Sequence, residues 1–340
     1  MNDNDFGRLT HYAHVAQAAW QDHAAAQILH AFAEASIPVI VFKGLTLRTR
    51  IYRNPEQRRA GDIDMLVRRT DWERANVLLR SFKYEVSPDE HLWTANFARE
   101  FMGELPYRKG TIVIDLHWHP VAMSWFRSTT AFDLAGLWAR ALVTEVAGVP
   151  ALRFGPEDEL IHLCYHTAIH HALTHPHGYR DILGVLHTEQ DNLDWTVLTE
   201  RARKWRISVA VWAALSVARE KSKRYMAHSA MHGGEIPVAG LSALKVPRWR
   251  QWMLRPFLQR AVEGRATLVS GSMRFLGVLL VDRMRDLPGV ILRGLFPGRR
   301  WLQLRYDLST RQAFWRQFTY PFEVFTRGMG AVVRAITFHS

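Results

Sequence analysis

Residues 37–67 read IPVIVFKGLTLRTRIYRNPEQRRAGDIDMLV. Two short apolar runs, IPVIVF at 37–42 and DIDMLV at 62–67, bracket a more polar stretch. Apolar, β-branched runs of this length, bounded by turn residues, predict buried strands. Lys43-Gly44 follows the first run, residues 45–52 carry a helical pattern, and Asn54-Pro55 closes that helix. Asp62 and Asp64 fall on the second run. Side chains two apart on a strand share a face, so these carboxylates are directed toward one spot.

Outward from this block the pattern stays alternating. Residues 10–36, rich in Ala and His, have helical spacing of apolar groups. Thr70-Asp71 can cap a helix over 72–82. A third strand, TIVIDLHW at 111–118, places Thr111, Val113, Asp115 and His117 on one face and Ile112, Ile114, Leu116 and Trp118 on the other. The class is therefore α/β: a small mixed sheet with helices over 1–150. A helical domain over 151–240 follows, opened by Gly155-Pro156-Glu157-Asp158 and including helices over 159–173 and about 202–221. Near residues 237–247 the composition shifts to Arg, Trp and Phe with Gly and Pro breaks, which sets off a basic helical region over 241–340. No internal repeat is visible.

Two neighbouring carboxylates repel, and each raises the proton affinity of the other. A divalent cation relieves that cost, and Mg²⁺ is held by one or two carboxylates together with water and substrate phosphate oxygens. The pair Asp62 and Asp64 thus suits metal-assisted phosphoryl chemistry with Mg²⁺ or Mn²⁺, although acidic pairs at strand ends are also found simply solvated. Asp115 supplies a third carboxylate if its strand neighbours theirs. Gly44, at a strand-to-helix turn, permits close backbone approach and leaves helix N–H groups for a phosphate. Lys43 adds a point charge there, or is an ordinary turn lysine. Arg58 and Arg59 either clamp phosphates or belong to a solvated loop.

This order of features resembles the signature of the uncharacterised nucleotidyltransferase family in the DNA polymerase beta-like superfamily. That signature runs Lys-Gly, a helix with a tyrosine, Pro, Arg, then Asp-Ile-Asp and an apolar strand. Further similarity lies in IDLHWHP at 114–120, GPEDELIHLCYHTAIHH at 155–171, YRDILGVLH at 179–187 and LFPGRRWLQLRY at 295–306. The resemblance implies metal ligands at Asp62, Asp64 and Asp115, and triphosphate handling around Lys43 and Gly44. Well-understood members of the wider superfamily place Gly-Ser where this chain has Lys-Gly. The activity it implies is in-line transfer of a nucleotidyl group from a nucleoside triphosphate to an acceptor hydroxyl that the sequence does not identify. A non-catalytic relative that binds a nucleotide or a partner through the same fold is the alternative class.

Other features bound the reading. His162, His166 and His170 lie four apart on a helical pattern, followed by His171, His175 and His177. Such spacing suits Zn²⁺, helix packing, or the lining of an acceptor pocket; there is neither a His-Glu-x-x-His motif nor a cysteine partner set. The single cysteine, Cys164, excludes an internal disulfide and fits a reducing, cytoplasmic compartment. No signal peptide is expected, since MNDNDFGRLT at 1–10 has no basic stretch followed by an apolar one, and no transmembrane segment, since the apolar run FLGVLLV at 275–281 is far shorter than a span requires. The net charge is +12, and residues 241–340, with 17 Lys+Arg against 5 Asp+Glu, account for all of it. Arginines interleaved with Trp249, Trp252, Trp301 and Trp315 suit an anionic membrane surface, nucleic acid or a protein partner.

Overall fold

The computed structural model describes residues 3–52, 57–58, 60–86, 94–226, 235–265 and 276–337. Contacts divide the chain into two compact units, one of residues 1–122 with 134–155, the other of residues 123–133 with 156–340.

The first unit is built on a mixed sheet whose described strands run β3-β4-β5-β2-β1-β7-β6. These are β1 (Val39–Phe42), β2 (Ile63–Val67), β3 (Glu85–Val86), β4 (Glu104–Lys109), β5 (Ile112–His117), β6 (Leu142–Val146) and β7 (Val149–Arg153). The class is α/β, as the strand and helix patterns require. β1 runs antiparallel to β2 and parallel to β7, while β2 runs parallel to β5. The central strands β1 and β2 are buried along their whole length, which is why they read as unbroken apolar runs rather than alternating ones. The edge hairpins turn on residues with positive φ: Gly110 between β4 and β5, Ala147 and Gly148 between β6 and β7.

Helix α1 (Asp3–Glu34) buries Ala24, Ala25, Ile28, Leu29 and Phe32 and packs on the sheet side formed by β5, β6 and β7 and on α3 (Trp72–Ser81). The short α2 (Gly44–Arg50) follows β1 directly. Its Arg48, 1% exposed, donates from Nη1 to Gln21 Oε1 at 3.2 Å and from Nη2 to Asp22. Gln21 in turn donates from Nε2 to the Ala60 carbonyl at 2.9 Å. A buried polar chain thereby fixes the loop that leads into β2.

Both strands of the 37–67 block start later than the sequence expectation. The first strand starts at Val39, because Ile37 is used to close α1, its N–H donating to the Phe32 carbonyl. The second starts at Ile63, so Asp62 lies in the loop immediately before it. Asn54-Pro55 and Arg59 lie outside the described residues.

In the second unit, α4 (Pro156–Tyr165) does not continue as an α-helix to residue 173: residues His166–His170 form a π-helical turn. The helix expected over 202–221 is two helices, α5 (Trp195–Lys204) and α6 (Ser208–Met226), broken where Arg206 takes φ 61°. The N–H groups of Ser208 and Val209 at the start of α6 donate to the two carboxylate oxygens of Asp282, each at 2.9 Å. That distant cap replaces the hydrogen bonds a continuous helix would have made. No helix among the described residues is long and apolar enough to cross a membrane.

Candidate active site

The parallel register of β2 and β5 sets Asp64 directly beside Asp115. Partnered residues of adjacent strands put their side chains on the same face, so the condition left open by the sequence, that the two strands be neighbours, is met by the topology. His117, two residues beyond Asp115, shares that face. The antiparallel β4 then brings Glu104 opposite His117. Asp62 reaches the same cluster from the loop before β2, where its carboxyl feels the charges of Asp64, Lys43 and His117.

Lys43 completes the group. It ends β1 in a strained conformation, φ 56° and ψ −131°, a region that non-glycine residues rarely occupy. Its Nζ donates to Asp64 Oδ1 at 2.7 Å. The same Oδ1 lies 3.0 Å from His117 Nε2. An ionised Asp64 accepts from both, which puts a proton on His117 Nε2. His117 Nδ1 lies 3.1 Å from Glu104 Oε2, close enough for an ion pair, but it makes no well-aligned hydrogen bond. Phe42 packs edge-on to the His117 ring at 4.9 Å and lies 5.2 Å beneath the Lys43 ammonium.

Gly44 has a steric reason to be glycine. A Cβ there would come within 2.8 Å of the Ala60 Cβ, and the Arg58 Nη1 lies 3.8 Å from the same point. The turn after β1 and the loop before β2 are thus in contact through the missing side chain. Arg58 is half-buried beside this contact.

The charges of the cluster do not balance. Asp62, Asp64, Asp115 and Glu104 face Lys43 and His117. Burial opposes ionisation of Asp64, but Lys43 and His117 overcome it and hold the carboxyl well below the usual range. Burial likewise works against the Lys43 ammonium, and Asp64, Asp62 and Glu104 hold it above the usual lysine range. Asp115 goes the other way: burial, reinforced by Asp62, Glu104 and Asp64, pushes its carboxyl well above the carboxylate range. Asp62 is also pushed up, chiefly by Asp64 and then by burial. Without a further cation the cluster must therefore take up protons.

These residues fit a divalent cation. Asp64, Asp115 and His117 each present a ligand atom, all within 4.8 Å of one another, and Asp62 adjoins them. Oxygen-rich sites of this kind suit Mg²⁺ and Mn²⁺, and Mn²⁺ also tolerates an imidazole nitrogen.

A family model described as uncharacterised nucleotidyltransferase matches residues 8–221. The chain belongs to this family. The match spans the whole carboxylate cluster, with Lys43, Gly44 and Arg58. Among solved structures, similarity extends to the antibiotic-resistance factor ANT(2'')-Ia, at 16% identity, TM-score 0.39, over 62% of this chain and 99% of that one. It extends also to an antigenic nucleotidyltransferase-like protein from Paracoccidioides brasiliensis, at 13% identity, TM-score 0.36, over 66% of this chain and 92% of that one. A tRNA nucleotidyltransferase complexed with a primer tRNA and an incoming ATP analog is similar at 13% identity, TM-score 0.22, over 88% of this chain and 84% of that one. Among curated proteins none matches the chain.

Of the residues singled out in the sequence, the fold brings Lys43, Gly44, Arg58, Asp62, Asp64 and Asp115 to one end of β1, β2 and β5. Two further members were not singled out. His117 was legible as a face-mate of Asp115 two residues on. Glu104 carried no local signal, because only the pairing of β4 with β5 brings it in.

Proposed function

We propose that this family member is a metal-dependent enzyme that transfers a nucleotidyl group from a nucleoside triphosphate to an acceptor hydroxyl. Asp62, Asp64 and Asp115 are its catalytic carboxylates and hold Mg²⁺ or Mn²⁺. The observation that carries this reading is the pairing of Asp64 with Asp115 in the β2–β5 register, with Asp62 reaching the same cluster from the loop before β2. When bound, the divalent cation supplies Lewis-acid polarisation of the α-phosphate and neutralises charge on the departing pyrophosphate.

The chain's own groups do the rest. Asp64, kept ionised by Lys43 and His117, is always available as an anionic oxygen donor. Asp115 lies beside Asp64 in the same cluster, and once the cation has replaced its own proton its carboxylate oxygen is suited to receive the proton given up by the acceptor hydroxyl. The acceptor oxygen bonds to the α-phosphorus, the bond from that phosphorus to the bridging oxygen breaks, and pyrophosphate leaves with the electron pair. Lys43, Gly44, Arg58 and Arg59 form the triphosphate-binding side: the two arginines pair with phosphate oxygens, Lys43 supplies a positive charge within reach of Asp64, and Gly44 keeps the turn low enough for close approach.

The test is a screen with α-labelled nucleoside triphosphates and candidate hydroxyl acceptors, including the protein itself, in Mg²⁺ or Mn²⁺. Label should appear on an acceptor with release of pyrophosphate, and Asp64→Asn should abolish it in a folded protein. Full transfer in EDTA, or by Asp64→Asn, would overturn the reading.

A second role is favoured by one observation in residues 241–340. On the last helix (Thr310–Thr337), Trp315, Phe318 and Phe322 are 61%, 60% and 73% exposed at spacings of three and four. Aromatics on one helical face among arginines suit the interface of an anionic bilayer, and we propose that this region docks there.

A further inference from the structure

We propose that His166, His170 and His171 form a second metal site, made of different residues from the carboxylate cluster and selective for a borderline transition-metal ion such as Zn²⁺. The local backbone creates it. On a regular α-helix, with 3.6 residues per turn, His170 would lie about 40° around the axis from His166, but His171 would lie about 140° away, facing elsewhere. The π turn changes this. The His171 N–H donates to the carbonyl of His166 at 3.1 Å, five residues back, so an extra residue is held within the turn and His171 swings round to join the other two.

The three imidazoles then converge. Ring centroids are 4.8 Å apart for His166 and His170, 4.6 Å for His166 and His171, and 5.0 Å for His170 and His171. One nitrogen from each lies within 4.8 Å of the others. All three side chains are half-buried, so an ion can enter and keep a coordination position open to solvent. Three imidazole donors with an open position are a ligand set used for Zn²⁺, and they discriminate against hard Mg²⁺.

The backbone around the cluster is held under strain. Ala172 and Leu173, which follow directly, take φ 47° and 65° although neither is glycine. Two adjacent residues in that region persist only where their surroundings over-determine them. Both are buried, the Leu173 N–H donates to the Thr167 carbonyl at 2.8 Å, and the Tyr179 hydroxyl donates to the Leu173 carbonyl at 2.9 Å. His175, with its ring 4.2 Å from His171, uses Nδ1 to accept the Gly178 N–H and is thereby fixed beside the site. π turns are rare and concentrate at functional positions. Here the turn, the strain and the convergence of three imidazoles coincide.

The test is Zn²⁺ titration of the full chain in excess Mg²⁺, which occupies oxygen-rich sites. It is repeated with His170→Gln, His171→Gln, and an Asp64→Asn, Asp115→Asn double variant. The wild type should bind one Zn²⁺ per chain, each histidine variant should lose about tenfold or more in affinity, and the aspartate double variant should keep it. Co²⁺ added to the wild type should give the intense visible absorption of a low-coordinate, nitrogen-ligated ion, a readout that needs no variant to fold. Zn²⁺ bound equally well by the histidine variants, loss of Zn²⁺ only in the aspartate double variant, or a wild type that takes up neither ion would overturn the proposal.

Discussion

Lys43 must serve two demands that conflict. Its ammonium anchors Asp64, but its backbone sits at φ 56°, where a Cβ costs about 1–3 kcal/mol. Replacing it separates the two. Lys43→Ala and Lys43→Gly both lose the charge, but only the glycine variant relieves the backbone, so Lys43→Gly should melt above Lys43→Ala; the reverse order in calorimetry would refute the strain argument. Both should bind triphosphate about ten- to a hundredfold more weakly, since a charge-assisted contact is worth about 1.5–3 kcal/mol. Asp115 gives a pH test. Burial and the neighbouring carboxylates raise its folded pKa, so the native state binds more protons than the unfolded chain. The sign follows: in EDTA, stability should fall as pH rises from the ordinary carboxylate range, about 4, through the raised value. Excess Mg²⁺ should flatten that fall by replacing the proton. A melting temperature that rises with pH over this window in EDTA would contradict the charge assignment.

At the level of elements, the site depends on contacts that hold loops against strands. Gly44→Ala would drive a Cβ to within 2.8 Å of the Ala60 Cβ, displacing the loop that carries Asp62. Activity should drop while far-ultraviolet circular dichroism stays native; unimpaired transfer by Gly44→Ala would show that the contact does not position the loop. In the second unit, Asp282→Ala removes the cap of α6 and should cost about 1 kcal/mol, read as a shift in the denaturant midpoint. These elements also show what the sequence could convey. β1, β2 and β5 were legible because fully buried strands and an alternating one have distinct apolar patterns, and the Lys-Gly and Asp-Ile-Asp runs carried the family signature. Asp115 was legible only conditionally, since neighbouring strands are a property of topology. Glu104 and the Gln21–Arg48 chain were not legible at all: their partners lie 13 to 39 residues away and no local pattern marks them. The π turn escaped for a different reason. His162, His166 and His170 fit an ordinary helical repeat, and the inserted residue is visible only in the hydrogen bonding.

At the scale of the molecule, the formal charge of residues 1–240 balances and residues 241–340 hold the whole excess. If exposed Trp315, Phe318 and Phe322 dock that region on an anionic bilayer, the full chain should sediment with phosphatidylserine-containing vesicles at low salt and release at high salt. Trp315→Ala with Phe322→Ala should weaken sedimentation without altering nucleotide binding. Retention on RNA but not on vesicles would assign the charge to nucleic acid instead. The central claim is narrower, that Asp64 and Asp115 hold a divalent cation on which nucleotide binding depends. Its most direct test is Mn²⁺ binding, counted from the electron paramagnetic resonance of free ion as it is titrated into the protein with a non-hydrolysable triphosphate. The wild type should remove Mn²⁺ from solution and bind the nucleotide with it. An Asp64→Asn, Asp115→Asn double variant that folds but binds neither is the result expected here, and one that takes up Mn²⁺ and nucleotide as the wild type does would contradict it.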